Sequence, residues 1–148
     1  MNSLRRDALR LSAALLAGVM LPLRALAGWN KEAFQSKTAA GALKGLGVAA
    51  STESKDILIE APQIAENGAV VPIEITSELP NTRSIAVVVD KNPFPLAAKF
   101  DFAEGALPYV KVNVKLGESS FVRVLAEAGG RYYTASREVK VTIGGCGG

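Results

Sequence analysis

The last five residues, GGCGG, place the only cysteine of the chain, Cys146, between two pairs of glycines. A thiol at such a position can form a disulfide or hold a sulfur-containing group as a covalent adduct. Glycine lacks a Cβ and visits most of φ/ψ space, so residues 144–148 are predicted to form a thin, flexible arm. Cys146 lies three residues beyond Ile143, which allows a reach on the order of 10 Å. The arm glycines are Gly144, Gly145, Gly147 and Gly148.

The neighbours of Cys146 do not favour catalysis by the thiol itself. A catalytic cysteine is usually activated by a histidine, a lysine or a helix N-terminus, which lower its pKa. The chain contains no histidine, and the terminal carboxylate at Gly148 adds negative charge. An unperturbed thiol has a pKa of about 8.5, so only a few per cent would be ionised at neutral pH. The sequence predicts a carrier of sulfur chemistry whose catalysts lie on other proteins.

The same residue counts argue against other catalytic sites. With no histidine and one cysteine, zinc and haem sites lose their usual ligands, and a Ser-His-Asp triad cannot be assembled. The acidic residues are scattered, mostly on predicted polar faces. We therefore predict no catalytic residue, no metal ligand and no cofactor in this chain, which is expected not to be an enzyme.

The first 27 residues have the features of an export signal. Arg5 and Arg6 precede an apolar run from residue 11 to 21, and a small-x-small pattern ends at Ala27, after which cleavage is expected. The arginine pair favours twin-arginine export, although Leu4 and Ala8 depart from that motif and a Sec signal stays open. The apolar run is too short and too interrupted for a membrane span.

The charge balance of the mature chain gives no reason to expect nucleic acid as a partner. The full chain has 17 basic and 14 acidic residues. Because residues 1–27 contain four arginines and one aspartate, 13 of each sign remain. The excess of basic residues thus lies in the predicted signal. The mature chain has no net positive charge that would attract nucleic acid.

The mature chain is predicted to begin with two short helices and to continue as a β-sandwich. Within residues 28–50, Asn30 and Thr38 are predicted N-caps, and Gly45 and Gly47 are expected to end the second helix. The predicted buried side of this segment consists of Trp29, Phe34, Leu43 and Leu46. Beyond it, residues 109–116 alternate apolar and polar side chains, which is typical of a half-buried strand.

Similar short runs predict seven strands in residues 51–143. They cover residues 56–60, 70–76, 84–90, 97–102, 109–116, 121–128 and 131–142, with turns predicted at residues 66–68, 79–81, 117–119 and 129–130. This spacing favours an all-β fold, an antiparallel sandwich of immunoglobulin-like type. Residues 84–90 should be central because Ile85 to Val89 are apolar on both faces. Pro72 lacks an N–H and predicts that its strand lies at an edge, or at least that this position turns outward.

Several segments resemble the SoxY family, the sulfur-carrier subunits of the bacterial thiosulfate-oxidising Sox system. The resemblance lies in the terminal GGCGG, in IAENGAVVPIEI at 64–75, in VVVDKNPFPLAAKF at 87–100 and in the two predicted helices. It implies a periplasmic protein that pairs with a SoxZ-like subunit and carries sulfur intermediates on Cys146. It also implies docking to a cytochrome that attaches thiosulfate, a sulfohydrolase that removes sulfate and a sulfane dehydrogenase, with haem and metal held by those partners.

Two rival interpretations remain at the level of sequence. The chain could be an exported immunoglobulin-like binding or structural module whose cysteine only forms an intermolecular disulfide. It could also be a ubiquitin-like sulfur carrier, since Gly147-Gly148 meets the minimal requirement for a terminal thiocarboxylate. Formation of a terminal thiocarboxylate needs activation by ATP. The ubiquitin-like fold also has a long helix that crosses the sheet, where this sequence predicts strands.

Overall fold

The computed structural model describes residues 30 to 143, which form two short helices followed by nine strands. Helix α1 is Lys31–Gln35 and helix α2 is Ala39–Gly45. The side chain of Asn30 accepts a hydrogen bond from the Ala33 N–H at 3.0 Å, and that of Thr38 accepts one from the Gly41 N–H at 3.1 Å. Both predicted N-caps are thus confirmed, because each supplies an acceptor to an otherwise unpaired N–H of a first turn.

The strands form two sheets that pack face to face as a sandwich. The strands are β1 (Thr52–Glu53), β2 (Ile57–Glu60), β3 (Ile64–Asn67), β4 (Val71–Ser77), β5 (Thr82–Val89), β6 (Leu96–Asp101), β7 (Tyr109–Val114), β8 (Ser120–Ala128) and β9 (Arg131–Ile143). The larger sheet has the order β1-β9-β8-β5-β6, with β3 also paired to β9, and the smaller has the order β2-β4-β7. The predicted all-β, immunoglobulin-like sandwich after two helices is confirmed.

All seven predicted strands are present, and two further strands were missed. β1 and β3 are two and four residues long, and both pair with β9 in parallel. A parallel partner far along the chain leaves no local signal, so neither strand could be separated from the loops around it. The turn predicted at 66–68 is partly wrong, because Glu66 and Asn67 belong to β3 and the turn starts at Gly68.

The core lies between the two sheets and is built from alternating aliphatic residues. Ile73 and Ile75 of the smaller sheet and Val122 and Val124 of the larger one are fully buried there. β5 runs between β8 and β6, as predicted, and is buried on both faces. Its inner residues enter the sandwich core, whereas its outer residues belong to a second core beneath the helices.

The helices cover the outer face of the larger sheet through small residues. Ala33 and Ala42 are fully buried against outer-face residues of β5, β6 and β8. Phe34, Leu43 and Leu46, which were predicted to be buried, are half-buried around that cluster, and Trp29 lies outside the described residues. The two helices approach so closely at Gly45 that a Cβ there would come within 2.7 Å of the Ala33 Cα.

The strand that contains Pro72 is not an edge strand, so that part of the prediction is wrong. β4 lies between β2 and β7. β2, however, pairs only with Glu74 through Ser77, while Pro72 pairs with Asn113 of β7. At Pro72 the strand therefore has a neighbour on one side only, and a proline that cannot donate a ladder hydrogen bond is tolerated there.

The glycine hairpin at the far end of β9 is as predicted. Gly129 and Gly130 join β8 to β9 with φ angles of 56° and 75°. These positive values suit a two-residue turn whose twist matches that of the paired strands, and glycine adopts them without a steric cost.

Candidate functional site

The last strand, β9, leads directly into the predicted arm. Its pairing with β8 ends at Val139, opposite Ser120, so residues 140 to 143 extend beyond β8. Along this extension β3 becomes the neighbour, with Ile64 paired to Lys140 and Asn67 paired to Ile143. Strand pairing thus continues to the residue that immediately precedes Gly144.

Side chains and backbone groups on both sides hold this end of β9. On the β3 side, the Lys140 N–H donates to the Gln63 carbonyl oxygen at 3.0 Å, and Thr142 Oγ1 donates to the Glu66 carbonyl oxygen at 3.0 Å. On the opposite side, the Val141 N–H donates to Ser119 Oγ at 2.8 Å. Ser119 therefore supplies the acceptor that β8 no longer offers at this position.

The end of β9 is also anchored by packing. Val139 is fully buried, and Ala65 of β3, which pairs with Val141, is buried in the same core. Val141 is partly buried and packs against that core. Burial of alternate residues fixes the register, since a slip by one residue would turn these apolar side chains to solvent.

Three loops lie at the same end of the sandwich as Ile143, and hydrogen bonds connect them. The Leu116 N–H donates to the Gly68 carbonyl oxygen at 2.7 Å. Asn92 Nδ2 donates to the Lys115 carbonyl oxygen at 2.6 Å, and Asn92 Oδ1 accepts from the Gly117 N–H at 3.2 Å. The loops after β3, β5 and β7 thus form one connected surface at this end of the sandwich.

All site residues predicted from the sequence lie outside the described residues. They are Arg5, Arg6 and Ala27 of the predicted signal and Gly144, Gly145, Cys146, Gly147 and Gly148 of the predicted arm. The structure instead supplies the support for the arm, namely β3, Ser119 and the connected loops. Sequence reasoning missed these residues because a single serine in a loop carries no pattern, and β3 was too short to be recognised.

The clearest titratable cluster in residues 30 to 143 lies on the outer face of the smaller sheet. Glu74 accepts hydrogen bonds from Lys111 Nζ at 2.5 Å and from the Tyr109 hydroxyl at 2.7 Å. The hydrogen bond between Lys111 and Glu74 lowers the pKa of Glu74 and raises the pKa of Lys111, and the hydrogen bond from the Tyr109 hydroxyl to Glu74 raises the pKa of Tyr109. All three side chains face solvent, so the cluster stabilises a sheet surface and encloses no pocket.

An open groove of about 1140 Å³ lies at the opposite end of the sandwich. It is lined by the loops after β4 and β6 and by the Gly129-Gly130 hairpin. β9 has 13 residues, which at about 3.3 Å each separates this groove from Ile143 by about 40 Å. Cys146 cannot reach it within the same molecule, because the arm spans only on the order of 10 Å.

Residues 30 to 143 contain neither a candidate metal site nor a helix that could span a membrane. This region holds no group of three or more histidine, cysteine, aspartate or glutamate side chains that could bind a metal ion. None of the helices within it is long and apolar enough to cross a membrane.

Comparisons with known proteins identify the family. The model of the family described as sulfur oxidation protein SoxY matches residues 44–146. The structure of the sulfur carrier protein SoxY from Chlorobium limicola f thiosulfatophilum is similar, with 37% sequence identity and a TM-score of 0.62, over 68% of this chain and 92% of that one. No curated protein sequence matched the chain.

More distant structural neighbours share the fold alone. The superoxide reductase (neelaredoxin) from Ignicoccus hospitalis has a TM-score of 0.51 and 22% identity, over 57% of this chain and 79% of that one. A single-residue variant of that reductase has a TM-score of 0.52 and 21% identity, over 66% and 86%. By contrast, the family match covers most of the chain and ends at the arm cysteine itself. The chain belongs to the SoxY family of sulfur oxidation proteins.

Proposed function

We propose that this protein is a periplasmic sulfur carrier that holds thiosulfate-derived groups on Cys146 and presents them to partner enzymes. The observation that carries the proposal is the SoxY family match, which extends to residue 146 and so includes the cysteine. The support around Ile143 is consistent with this role, because it holds the last strand residue before Gly144 in the sandwich. The sandwich supports the arm, and the thiol is the site at which the sulfur group is attached.

The first step of the proposed cycle is the oxidative attachment of thiosulfate. The Cys146 thiol and thiosulfate form a sulfur–sulfur bond, giving a cysteine S-thiosulfonate and releasing one proton and two electrons. A partner cytochrome accepts the electrons. The sulfur of Cys146 and the outer sulfur of thiosulfate are the atoms that are oxidised.

The later steps remove the attached sulfur while the cysteine stays in place. Water cleaves the bond between the two sulfur atoms that came from thiosulfate, which releases sulfate and a proton and leaves a persulfide on Cys146. A partner sulfohydrolase supplies this hydrolysis, and a sulfane dehydrogenase oxidises the remaining sulfur. The carrier itself supplies the thiol and the reach of its glycine arm, and no catalytic group.

We further propose that the protein works as a pair with a SoxZ-like subunit after export through residues 1–27. A carrier role explains a single unpaired cysteine in an exported protein better than a structural disulfide would, because no second cysteine exists in the chain. Carriage on one tethered thiol keeps each intermediate at a high local concentration for every docked enzyme.

The direct test replaces the thiol and then moves it. Cys146→Ser should abolish thiosulfate-dependent reduction of the cytochrome in a reconstituted system, with the melting temperature unchanged. The matched control adds Ser136→Cys to Cys146→Ser, which places a thiol on the exposed face of β9. This variant should stay inactive, since a thiol on the sandwich cannot enter an active site. Turnover by Cys146→Ser would end the carrier assignment, and full recovery in the control would show that the arm is not required.

A further inference from the structure

Residues 30 to 143 expose seven large apolar side chains, and these divide between the two ends of the sandwich. Four lie at the end from which the arm leaves, and we refer to them as the arm-side patch: Ile64, Val70, Phe94 and Phe121. The other three lie toward the opposite end: Leu58, Leu107 and Tyr109. Exposed apolar side chains that gather in one region of a surface often mark an interaction site.

Ile64 and Val70 lie on either side of the chain segment that supports the start of the arm. Ile64 pairs with Lys140, and its side chain is 58% exposed. Val70 is 60% exposed and comes three residues after Asn67, which pairs with Ile143. Ile64 begins β3 and Val70 follows its end, so both residues lie at the end of the sandwich where β9 ends.

Phe94 and Phe121 extend the patch across the loops at this end. Phe94 is 52% exposed and follows Asn92, whose side chain is bound to the segment 115–117. Val70 comes two residues after Gly68, whose carbonyl oxygen is bound to the same segment, so Val70 and Phe94 each lie two residues from a group that binds it. Phe121 is the second residue of β8, and its carbonyl oxygen accepts a hydrogen bond from the Asp90 N–H, where the loop containing Phe94 begins.

The length of the arm requires close approach by any enzyme that acts on Cys146. Three residues separate Cys146 from Ile143, and at about 3.3 to 3.6 Å per residue the thiol reaches only on the order of 10 Å from the sandwich. An active site that lies in a cleft must therefore bring its entrance almost onto the loops around Ile143. The surface of such an enzyme then covers the arm-side patch.

Charges around this end do not offer a field of one sign. Lys91 and Glu118 form an exposed ion pair at 3.8 Å, and Arg123 and Asp90 form a second ion pair at 2.9 Å. Further charges of both signs come from Lys115, Lys140 and Glu66. Strong electrostatic steering needs a surface dominated by one sign. The contribution of this surface to binding is therefore the burial of its apolar side chains at short range.

We infer that the arm-side patch is the docking surface for the enzymes that act on the sulfur group of Cys146, and that it packs against an apolar rim around their active-site entrance. This inference rests on the proposed carrier function. One surface serves successive enzymes, because the short reach of the arm brings each of them against the same end of the sandwich.

The test measures sulfate release from a chemically prepared adduct. Tetrathionate reacts with the Cys146 thiolate to give the S-thiosulfonate and thiosulfate, and intact mass confirms the adduct before each assay. Val70→Ser and Phe94→Ser are the patch variants, since both side chains are exposed and their loss should leave the fold intact. Leu58→Ser and Leu107→Ser are the matched controls, which remove exposed apolar groups at the opposite end.

We expect each patch variant to lower kcat/KM of the sulfohydrolase by roughly tenfold, as for loss of an important interface side chain, and each control to change it less than about twofold. Iodoacetamide should label Cys146 at the same rate in all variants. Equal kcat/KM in patch and control variants would overturn the inference and leave the carrier function standing. A wild-type adduct that releases no sulfate would overturn both.

Two other occupants of the patch are outcomes of the same experiment. Size-exclusion chromatography with the SoxZ-like subunit, and of the chain alone, should give the same assembly for wild type and patch variants. Loss of the paired subunit or of self-association in Val70→Ser or Phe94→Ser would assign the patch to that contact and overturn enzyme docking.

Discussion

At the scale of single residues, the proposed chemistry depends on what surrounds Cys146 in the sequence. Glycines on both sides add no bulk, no charge and no hydrogen-bonding side chain. The chain has no histidine to act as a base. A thiol with such neighbours is not activated as a nucleophile. This suits a carrier, because each reaction then occurs only where a partner supplies the catalyst.

Replacing one of these glycines tests whether their small size matters. Gly145→Val adds a branched side chain next to Cys146 and restricts the backbone, so we expect kcat/KM for sulfate release to fall by about tenfold or more. Labelling by iodoacetamide should be unaffected, because a small reagent does not require a thin arm. Wild-type kinetics with the sulfohydrolase would show that the glycines are incidental.

At the scale of secondary structure, β9 is the element that connects the fold to the function. It crosses the sandwich from the Gly129-Gly130 hairpin to Ile143 and carries its pairing past the end of β8. Parallel pairing with β3 and the hydrogen bond to Ser119 secure this extension. The arm therefore starts from a defined position, and its reach is set by the residues after Ile143 and not by fraying of the strand.

Removing the Ser119 hydroxyl should loosen this extension selectively. Ser119→Ala deprives the Val141 N–H of its partner, so we expect faster amide exchange at Val141 and Thr142 and a loss of about 1 kcal/mol in the free energy of unfolding. Thr134→Val is the matched control, because it removes a hydroxyl contact to the Val124 carbonyl oxygen near the start of β9, far from the arm. Unchanged exchange at Val141 in Ser119→Ala would contradict this account.

Local patterns predicted much of this fold because they reflect local physics. The alternation at 109–116 and the caps at Asn30 and Thr38 depend on side chains within a few residues of each other, and both are present. β3 depends on pairing with Lys140 through Ile143, which is remote in the chain. The prediction of an edge strand from Pro72 was wrong for a related reason. β2 pairs only with Glu74 through Ser77, so no strand faces Pro72 on that side and the missing N–H of Pro72 costs no hydrogen bond.

The candidate site was also only partly predictable from the sequence. Cys146 and its glycines could be recognised in the sequence, because their types and their terminal position are the relevant features. The support from Ser119, the connected loops and the arm-side patch could not, because each arises only when distant segments meet. Val70 and Phe94 are ordinary apolar residues in the sequence, and their exposure is a property of the folded chain.

At the scale of the whole molecule, the two ends of the sandwich differ in their surfaces. One end carries the support of the arm and the arm-side patch, whereas the other carries the open groove and the hairpin. Helices α1 and α2 cover the outer face of the larger sheet at β5, β6 and β8. The smaller sheet keeps an exposed outer face with the Glu74, Tyr109 and Lys111 cluster. The outer face of the smaller sheet is therefore a surface separate from the arm-side patch.

The most direct test of the central claim identifies what Cys146 carries in the cell. The protein would be purified without reductant from its native host during growth on thiosulfate, and the mass of the intact chain and of its terminal peptide would be measured. The account predicts a mature chain with sulfur-containing adducts on Cys146, including the S-thiosulfonate, that disappear on reduction. A free thiol throughout, or only a disulfide-linked species of twice the monomer mass, would contradict it.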